Sequence, residues 1–243
     1  MVELGRVAAG FLLPSRCLAC GRGDVGECFR GGVCRACWDA LPLPEHGRCA
    51  RCDETLPAAP LAARCGRCLL DPPAFERLIA AAPYRAAARE ILLAFKFRGA
   101  DYLGARLAEQ MLRRLPPPEE CVEIAAVPAT NRARRARGYH PAEVLAAAIA
   151  RGLGIPFRRE LLIKVRETRV QSRVPAADRA ANVRRAFRTG SRPARHVLLI
   201  DDVATSAATA RECSARLRAA GARSITVWCF ARASRADIAM EAS

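Results

Sequence analysis

Two sets of residues in this sequence have the types and spacing to do chemistry. The first is four CxxC turns, Cys17/Cys20, Cys34/Cys37, Cys49/Cys52 and Cys65/Cys68, separated by gaps of 13, 11 and 12 residues. A CxxC turn presents two thiolates to one cation, and two such turns complete a tetrahedral four-cysteine site. Four turns supply two structural Zn²⁺ sites with no ligand left over. The second set is Asp201-Asp202-Val203-Ala204-Thr205-Ser206-Ala207-Ala208-Thr209, directly after the apolar run Val197-Leu198-Leu199-Ile200. Carboxylates accept hydrogen bonds from adjacent sugar hydroxyls. The free N–H groups and dipole of a following helix favour an anion, and Thr205, Ser206 and Thr209 add hydroxyl donors. Acids followed by such a cradle describe a ribose 5-phosphate site. The plainer alternative is that Asp201 and Asp202 only cap a helix. Against it, paired acids with no nearby lysine make poor core residues.

Rival chemistries for the cysteines are disulfides, a redox CxxC and an iron–sulfur cluster. Closely spaced CxxC repeats in a cytosol-compatible chain favour metal over disulfides, and the βαβ context of a redox CxxC is missing. A cluster of iron and sulfide accepts the same four ligands. Sequential pairing would join Cys17, Cys20, Cys34 and Cys37 at one site and Cys49, Cys52, Cys65 and Cys68 at the other. It closes shorter loops than a cross-braced arrangement, at lower entropic cost. Cys28, Cys121, Cys213 and Cys229 read as ordinary small core residues.

The elements that must position these residues fall into two regions. Leu70-Asp71-Pro72-Pro73 stiffens the chain and breaks regular structure. It divides the sequence into 1–72, a double ribbon, and 73–243, an α/β domain. In the second region Leu78 to Tyr84 reads as a strand, Ala86 to Phe97 as a helix and Tyr102 to Leu115 as another. Ile124 to Val127 is a short buried strand stopping at Pro128, and a helix runs from about Pro141 to Gly152. A polar, arginine-rich stretch covers Lys164 to Arg185. The run Val197 to Ile200 suits a central strand buried on both faces. A helix from Ala207 to Ala220 ends at Gly221, and Ser224 to Phe230 is a last strand. Strands alternating with helices imply a parallel, doubly wound sheet, with the acids at the carboxyl end of a strand, where open α/β sheets place ligands.

The 243 residues carry a formal net charge of +16, which suits polyanionic partners; of the 40 basic residues only Lys96 and Lys164 are lysines. Codon bias toward arginine accounts for part of this excess, but the guanidinium fork still binds phosphate in two-pronged fashion. Aromatics are 5% of the chain, so base stacking has little support, and any DNA contact would rest on phosphates. No apolar run reaches the ~18 residues of a membrane span. Val7 to Leu13 reads as a short amphipathic helix rather than a secretory signal, and the expected location is cytoplasmic.

With these residues in view, the chain resembles the ComF/GntX family, which pairs a double zinc ribbon with a type I phosphoribosyltransferase-like domain and is associated with competence for DNA uptake. The resemblance runs through Cys65-Gly66-Arg67-Cys68-Leu69, Lys96-Phe97-Arg98-Gly99, Val127-Pro128, Arg137-Gly138-Tyr139, Thr168-Arg169-Val170-Gln171, Arg179, Asn182, Ala186-Phe187, the Asp201 loop and Val227-Trp228-Cys229. It implies that Asp201 and Asp202 hold the ribose hydroxyls of 5-phosphoribosyl-1-pyrophosphate and that Thr205 to Thr209 cradle its 5-phosphate. The turn at Pro128 and Ala129 would face the pyrophosphate, and Mg²⁺ would ride on that group. Lys164 to Asn182 would form a flap, with Arg166, Thr168, Gln171 and Arg179 as contacts. Single-stranded DNA and DNA-uptake proteins are the implied partners. Arg132, Arg134, Arg135 and Arg137 would meet pyrophosphate or a DNA backbone; a solvated helix face is the alternative.

Two departures bear on the chemistry. The family loop reads Thr-Thr-Gly where this chain has Thr205-Ser206-Ala207. If that third residue needs a positive φ, its Cβ costs ~1–2 kcal/mol. After Arg-Gly the family tends to have Phe-Asn-Gln, whereas here Tyr139-His140-Pro141 stands, and His140 reads as a turn residue. An active phosphoribosyltransferase with an unidentified acceptor, a DNA-handling protein and a sugar-phosphate sensor without turnover all fit these residues.

Overall fold

The computed structural model describes residues 16–23, 32–44, 47–56, 63–116, 123–130, 134–135, 137–168 and 178–234. The Val7–Leu13 segment, Cys28, Cys121, Arg132 and Gln171 lie outside them.

The ribbon module is a repeat of one small unit. In each unit the first CxxC sits in a tight hairpin closed by an antiparallel bridge, Arg16 to Gly23 and Arg48 to Thr55. The second CxxC opens a short helix, α1 (Arg35–Asp39) after Cys34 and α2 (Gly66–Leu70) after Cys65. The hairpins turn through a positive φ, at Gly21 in the first and at Asp53 in the second. A non-glycine residue pays for αL, and Asp53 offsets it with two contacts. Its Oδ2 accepts from the Ala80 N–H at 2.9 Å, and its Oδ1 pairs with Arg48 at 2.8 Å.

Four parallel strands follow, β1 (Arg77–Pro83), β2 (Glu123–Ala126), β5 (His196–Ala204) and β6 (Ser224–Arg232), ordered β1-β6-β5-β2. The helices are α3 (Ala86–Phe97), α4 (Leu103–Arg114), α5 (Pro141–Leu153), α6 (Arg179–Val183) and α7 (Ala208–Ala219). This is the parallel α/β class expected, with each long helix in its expected place. Two short strands, β3 (Leu162–Lys164) and β4 (Phe187–Thr189), pair antiparallel at the two ends of the arginine-rich stretch, where no strand was expected. Strand β5 runs four residues past Ile200, so both acids lie within the sheet. No helix among the described residues is long and apolar enough to cross a membrane.

Alternation along β5 sorts the core by face. Leu198 and Ile200 join Trp228 and Phe230 on one side, beneath Ile91, Leu92 and Phe95 of α3, Leu107 and Met111 of α4, and Leu145 and Ile149 of α5. Val197 and Leu199 join Val227 and Ile225 on the other, beneath Cys213 and Leu217 of α7 and Leu162 and Phe187 of the short pair. The ribbons divide in the same way. Cys17, Cys34, Trp38 and Leu41 belong to the first cluster, and Cys49, Cys52 and Cys68 to the second. The second ribbon also reaches β1, an edge strand: Leu78 N–H donates to the Arg51 carbonyl at 2.9 Å. An edge covered in this way has fewer open backbone groups.

Candidate functional site

The thiols gather as sequential pairing expects. Cys17, Cys20, Cys34 and Cys37 form one cluster and Cys49, Cys52, Cys65 and Cys68 the other, with all sulfurs of a cluster within 4.8 Å of one another. A tetrahedral ion with Zn–S bonds near 2.3 Å requires sulfurs about 3.8 Å apart. Cys17 and Cys37 are 3.8 Å apart, Cys20 and Cys34 4.0 Å, and Cys52 and Cys65 3.6 Å. Backbone N–H groups also point at sulfur, Cys34 to Cys17 at 3.3 Å and Cys65 to Cys49 at 3.2 Å. Burial pushes the Cys17 thiol up, but N–H bonds from Cys34, Cys20 and Ala19 outweigh it and bring it down to about 6. The same balance brings Cys49 down to about 7. The donor set and its spacing fit zinc at both sites.

The acids stand at the carboxyl end of the sheet. Asp202 pairs with Lys96 at 2.9 Å, both side chains being mostly buried. Burial, and next the charge of Asp202, push the Asp201 carboxyl well above its ordinary range, while Lys96 opposes the shift. The Asp202 N–H donates to Asp201 Oδ1 at 2.9 Å. The expected absence of a lysine near the acids fails in space, where Lys96 of α3 neutralises Asp202. After Ala204 the loop Thr205–Ala207 leads into α7, with Ala207 at its N-cap at φ 55° and ψ 15°. The positive φ anticipated for this position is present, at an alanine.

Strand β2 lies beside β5 and both point the same way, so the turn carrying Pro128 and Ala129 opens at the same sheet end as the acids. Val127 N–H donates to the Ile200 carbonyl at 2.9 Å, holding the two exits together. Arg134 and Arg135 are exposed. The Arg137 guanidinium lies 4.9 Å over the Phe97 ring, and Phe97 is 62% exposed. Composition hid this exposed aromatic beside the site.

The flap residues are less concentrated on the acids. Arg166 donates to the Asn182 and Arg184 carbonyls at 2.9 and 2.8 Å, closing the stem of the segment rather than facing the loop. Thr168 Oγ1 accepts from Lys164 at 2.8 Å. Burial lowers the Lys164 pKa, and the Asp201 charge is among the groups that oppose the shift; sequence reasoning gave this lysine no role. Arg179 opens α6. His140 is the N-cap of α5, its Nδ1 accepting from the Glu143 N–H at 3.1 Å. Burial lowers its pKa, so it serves as a neutral cap, the turn role the sequence assigned.

Two four-cysteine sites joined to a parallel α/β sheet define a double zinc ribbon protein, and residues 8–69 match the double zinc ribbon domain family. A DNA utilization protein YhgH from Escherichia coli O6:H1 is 30% identical over 220 residues, covering 83% of this chain and 97% of that protein. Competence protein F of Haemophilus influenzae is 29% identical over 231 residues, covering 90% and 97%. The chain belongs to this DNA utilization and competence protein family. Solved structures that match part of it include a glutamine phosphoribosylpyrophosphate amidotransferase from Bacillus subtilis, with a TM-score of 0.35 and 23% identity, covering 52% of this chain and 26% of that one. Adenine phosphoribosyltransferase from Leishmania tarentolae matches with a TM-score of 0.33 and 20% identity, covering 60% and 76%.

Proposed function

We propose that this chain binds 5-phosphoribosyl-1-pyrophosphate, with Mg²⁺ on the pyrophosphate, through Asp201 to Thr209, and works in the cytoplasm on single-stranded DNA during uptake. The observation that carries the ligand reading is the order of parts at one sheet end. Two acids stand at the close of β5, a short hydroxyl-bearing loop follows, and α7 begins at its far side. The acids would accept the ribose hydroxyls, and the loop amides would meet the 5-phosphate. Pro128 and Ala129, at the exit of the adjacent strand, would face the pyrophosphate. Mg²⁺ would supply charge neutralisation there.

Calorimetric titration of the zinc-loaded protein with the sugar pyrophosphate and Mg²⁺ tests this reading. Binding is expected, and a flat titration up to about 1 mM ligand would overturn it. Release of pyrophosphate on adding candidate acceptors would extend the reading from binding to transfer.

The Ala207 backbone gives a prediction of unequal effects. In Ala207→Gly, relief of αL strain gains ~1–2 kcal/mol. The lost methyl costs about 0.8 kcal/mol, and the freer unfolded chain costs ~0.4–1 kcal/mol. These terms nearly cancel, so the thermal transition should stay within about 4 °C. Affinity for the sugar phosphate should rise, because a Cβ leaves the place where phosphate approaches backbone. Weaker binding with an unchanged transition would contradict this.

For DNA, the kinship with DNA utilization and competence proteins and the net charge of +16 support weak, sequence-tolerant binding to single strands. Counterion release makes each neutralised phosphate contribute roughly −0.7 to the log–log salt slope. Replacing Arg132, Arg134, Arg135 and Arg137 together by alanine is expected to flatten that slope in a filter-binding or anisotropy series. If the mutant keeps its DNA slope and loses sugar-phosphate affinity, the cluster serves pyrophosphate. No change in either assay would leave it a solvated face.

A further inference from the structure

Arg67 lies between two metal ligands of the second ribbon, Cys65 and Cys68. Its Nη1 donates to the Ser206 carbonyl at 2.9 Å. Two more arginines cross the same seam. Arg232, at the end of β6 with a side chain 2% exposed, donates Nε to the Cys52 carbonyl and Nη1 to the Ala204 carbonyl, both at 3.1 Å. Arg211, in the first turn of α7, donates to the Asp71 carbonyl at 2.7 Å and to Cys68 Sγ at 3.5 Å. Both sides of the loop, and the helix it opens, are therefore tied to the second four-cysteine unit.

The carbonyls held are the ones that matter. In a trans peptide the C=O of one residue and the N–H of the next point in opposite directions, and no cis peptide occurs among the described residues. Holding Ser206 C=O toward the ribbon turns the Ala207 N–H away from it. Arg232, together with the Ala233 N–H at 2.9 Å on the same Ala204 carbonyl, likewise directs the Thr205 N–H. The first ribbon makes different connections: Arg98, the C-cap of α3, donates to the Leu18 carbonyl at 3.3 Å, and Arg114 of α4 to the Pro42 carbonyl at 3.0 Å. Neither touches the loop.

We infer that the second four-cysteine unit is a positioning element for the Thr205–Ala207 loop, acting through Arg67, and that order at that unit sets order in the loop. A donor from a knuckle braced by four thiolates is pre-placed, so its hydrogen bond costs little side-chain entropy. Arg67 acts on the backbone and need touch no ligand. The loop's role in binding sugar phosphate rests on the proposed function; the coupling itself does not.

Hydrogen exchange and calorimetry on Arg67→Ala and Arg67→Lys test it, with zinc content measured in each. Arg67→Ala should keep its zinc and exchange faster at the amides of residues 203–210, with unchanged exchange at residues 32–44. Its affinity for the sugar pyrophosphate with Mg²⁺ should fall about tenfold, the scale of one charge-assisted hydrogen bond. Arg67→Lys, which keeps one donor, should recover part of both losses. Cys65→Ala should loosen residues 203–210 in the same way and Cys37→Ala should not; if these two fail to fold, the Arg67 pair still decides. Loop exchange equal to wild type in Arg67→Ala overturns the inference, as does unchanged affinity in a protein whose wild type binds. If wild type does not bind the sugar pyrophosphate, the proposed function fails and the exchange result alone rules on the coupling.

Discussion

Stripping zinc is expected to lower the thermal transition of the α/β fold by on the order of 10 °C, beyond unfolding the ribbons themselves. Small four-cysteine units draw ~10–16 kcal/mol of apparent folding free energy from their metal, as much as a whole domain's net stability of ~5–15 kcal/mol. Here the loss does not stop at the ribbons. Trp38 and Leu41 are 4% exposed within the core that α3, α4 and α5 share with the sheet. Releasing two such side chains forfeits about 1.5–3 kcal/mol each. At roughly 2–4 °C per kcal/mol for a chain of this size, the sheet and helices feel the change. On the other face Cys49, Cys52 and Cys68 leave a core that contains Phe75 and Leu78. We propose that residue 72 marks where metal-dependent folding ends, while packing continues across it. Elemental analysis should give two zinc ions per chain. Calorimetry before and after chelation should show the drop; an α/β transition that stays put would mean the ribbons are passengers.

The sequence carried what is local. The cysteine pairing was readable because each unit closes within a short loop, and chain entropy ranks the arrangements. Strand β5 and helix α7 were readable because a continuous apolar run and a helical period flank the acids on both sides. What the sequence hid depends on distance. Lys96 and Asp202 lie far apart in the chain, so no pattern joins them, yet they pair at 2.9 Å. Arg67, Arg211 and Arg232 are three among many arginines, and only the seam between ribbon and loop singles them out. Strands β3 and β4 have three residues each, too few for a period-two pattern to register. That the two ribbons serve opposite faces of the sheet follows from the fold alone, since their cysteine spacings differ by a single residue, gaps of 13 and 12 between the CxxC turns of each unit.

Asp201→Asn is expected to weaken sugar-pyrophosphate binding about ten- to a hundredfold without weakening the fold. Each charge-assisted hydrogen bond from a carboxylate contributes about 1.5–3 kcal/mol, so losing both acids in Asp201→Asn with Asp202→Asn should cost roughly 10²–10⁴ in affinity. The two acids differ in what they do for stability. Burial and the neighbouring charge raise the Asp201 pKa in the folded protein. The folded state then binds more protons than the unfolded one, and stability falls as pH rises above the ordinary carboxylate value toward the raised one. Asparagine removes that cost, so the single variant should melt at or above the wild-type temperature at neutral pH and depend less on pH. Asp202 is the partner of Lys96, whose side chain is 15% exposed. Asp202→Asn strands that ammonium, at up to the ~3–5 kcal/mol seen when a buried pair is broken. It should melt lower. Only Asp201→Asn therefore separates lost binding from lost folding. Titration calorimetry and a melting curve on the two single variants read both effects. Wild-type affinity in Asp201→Asn would move the ribose contact elsewhere, and a lowered melting temperature would mean that its carboxylate, charged, already has a partner in the folded protein.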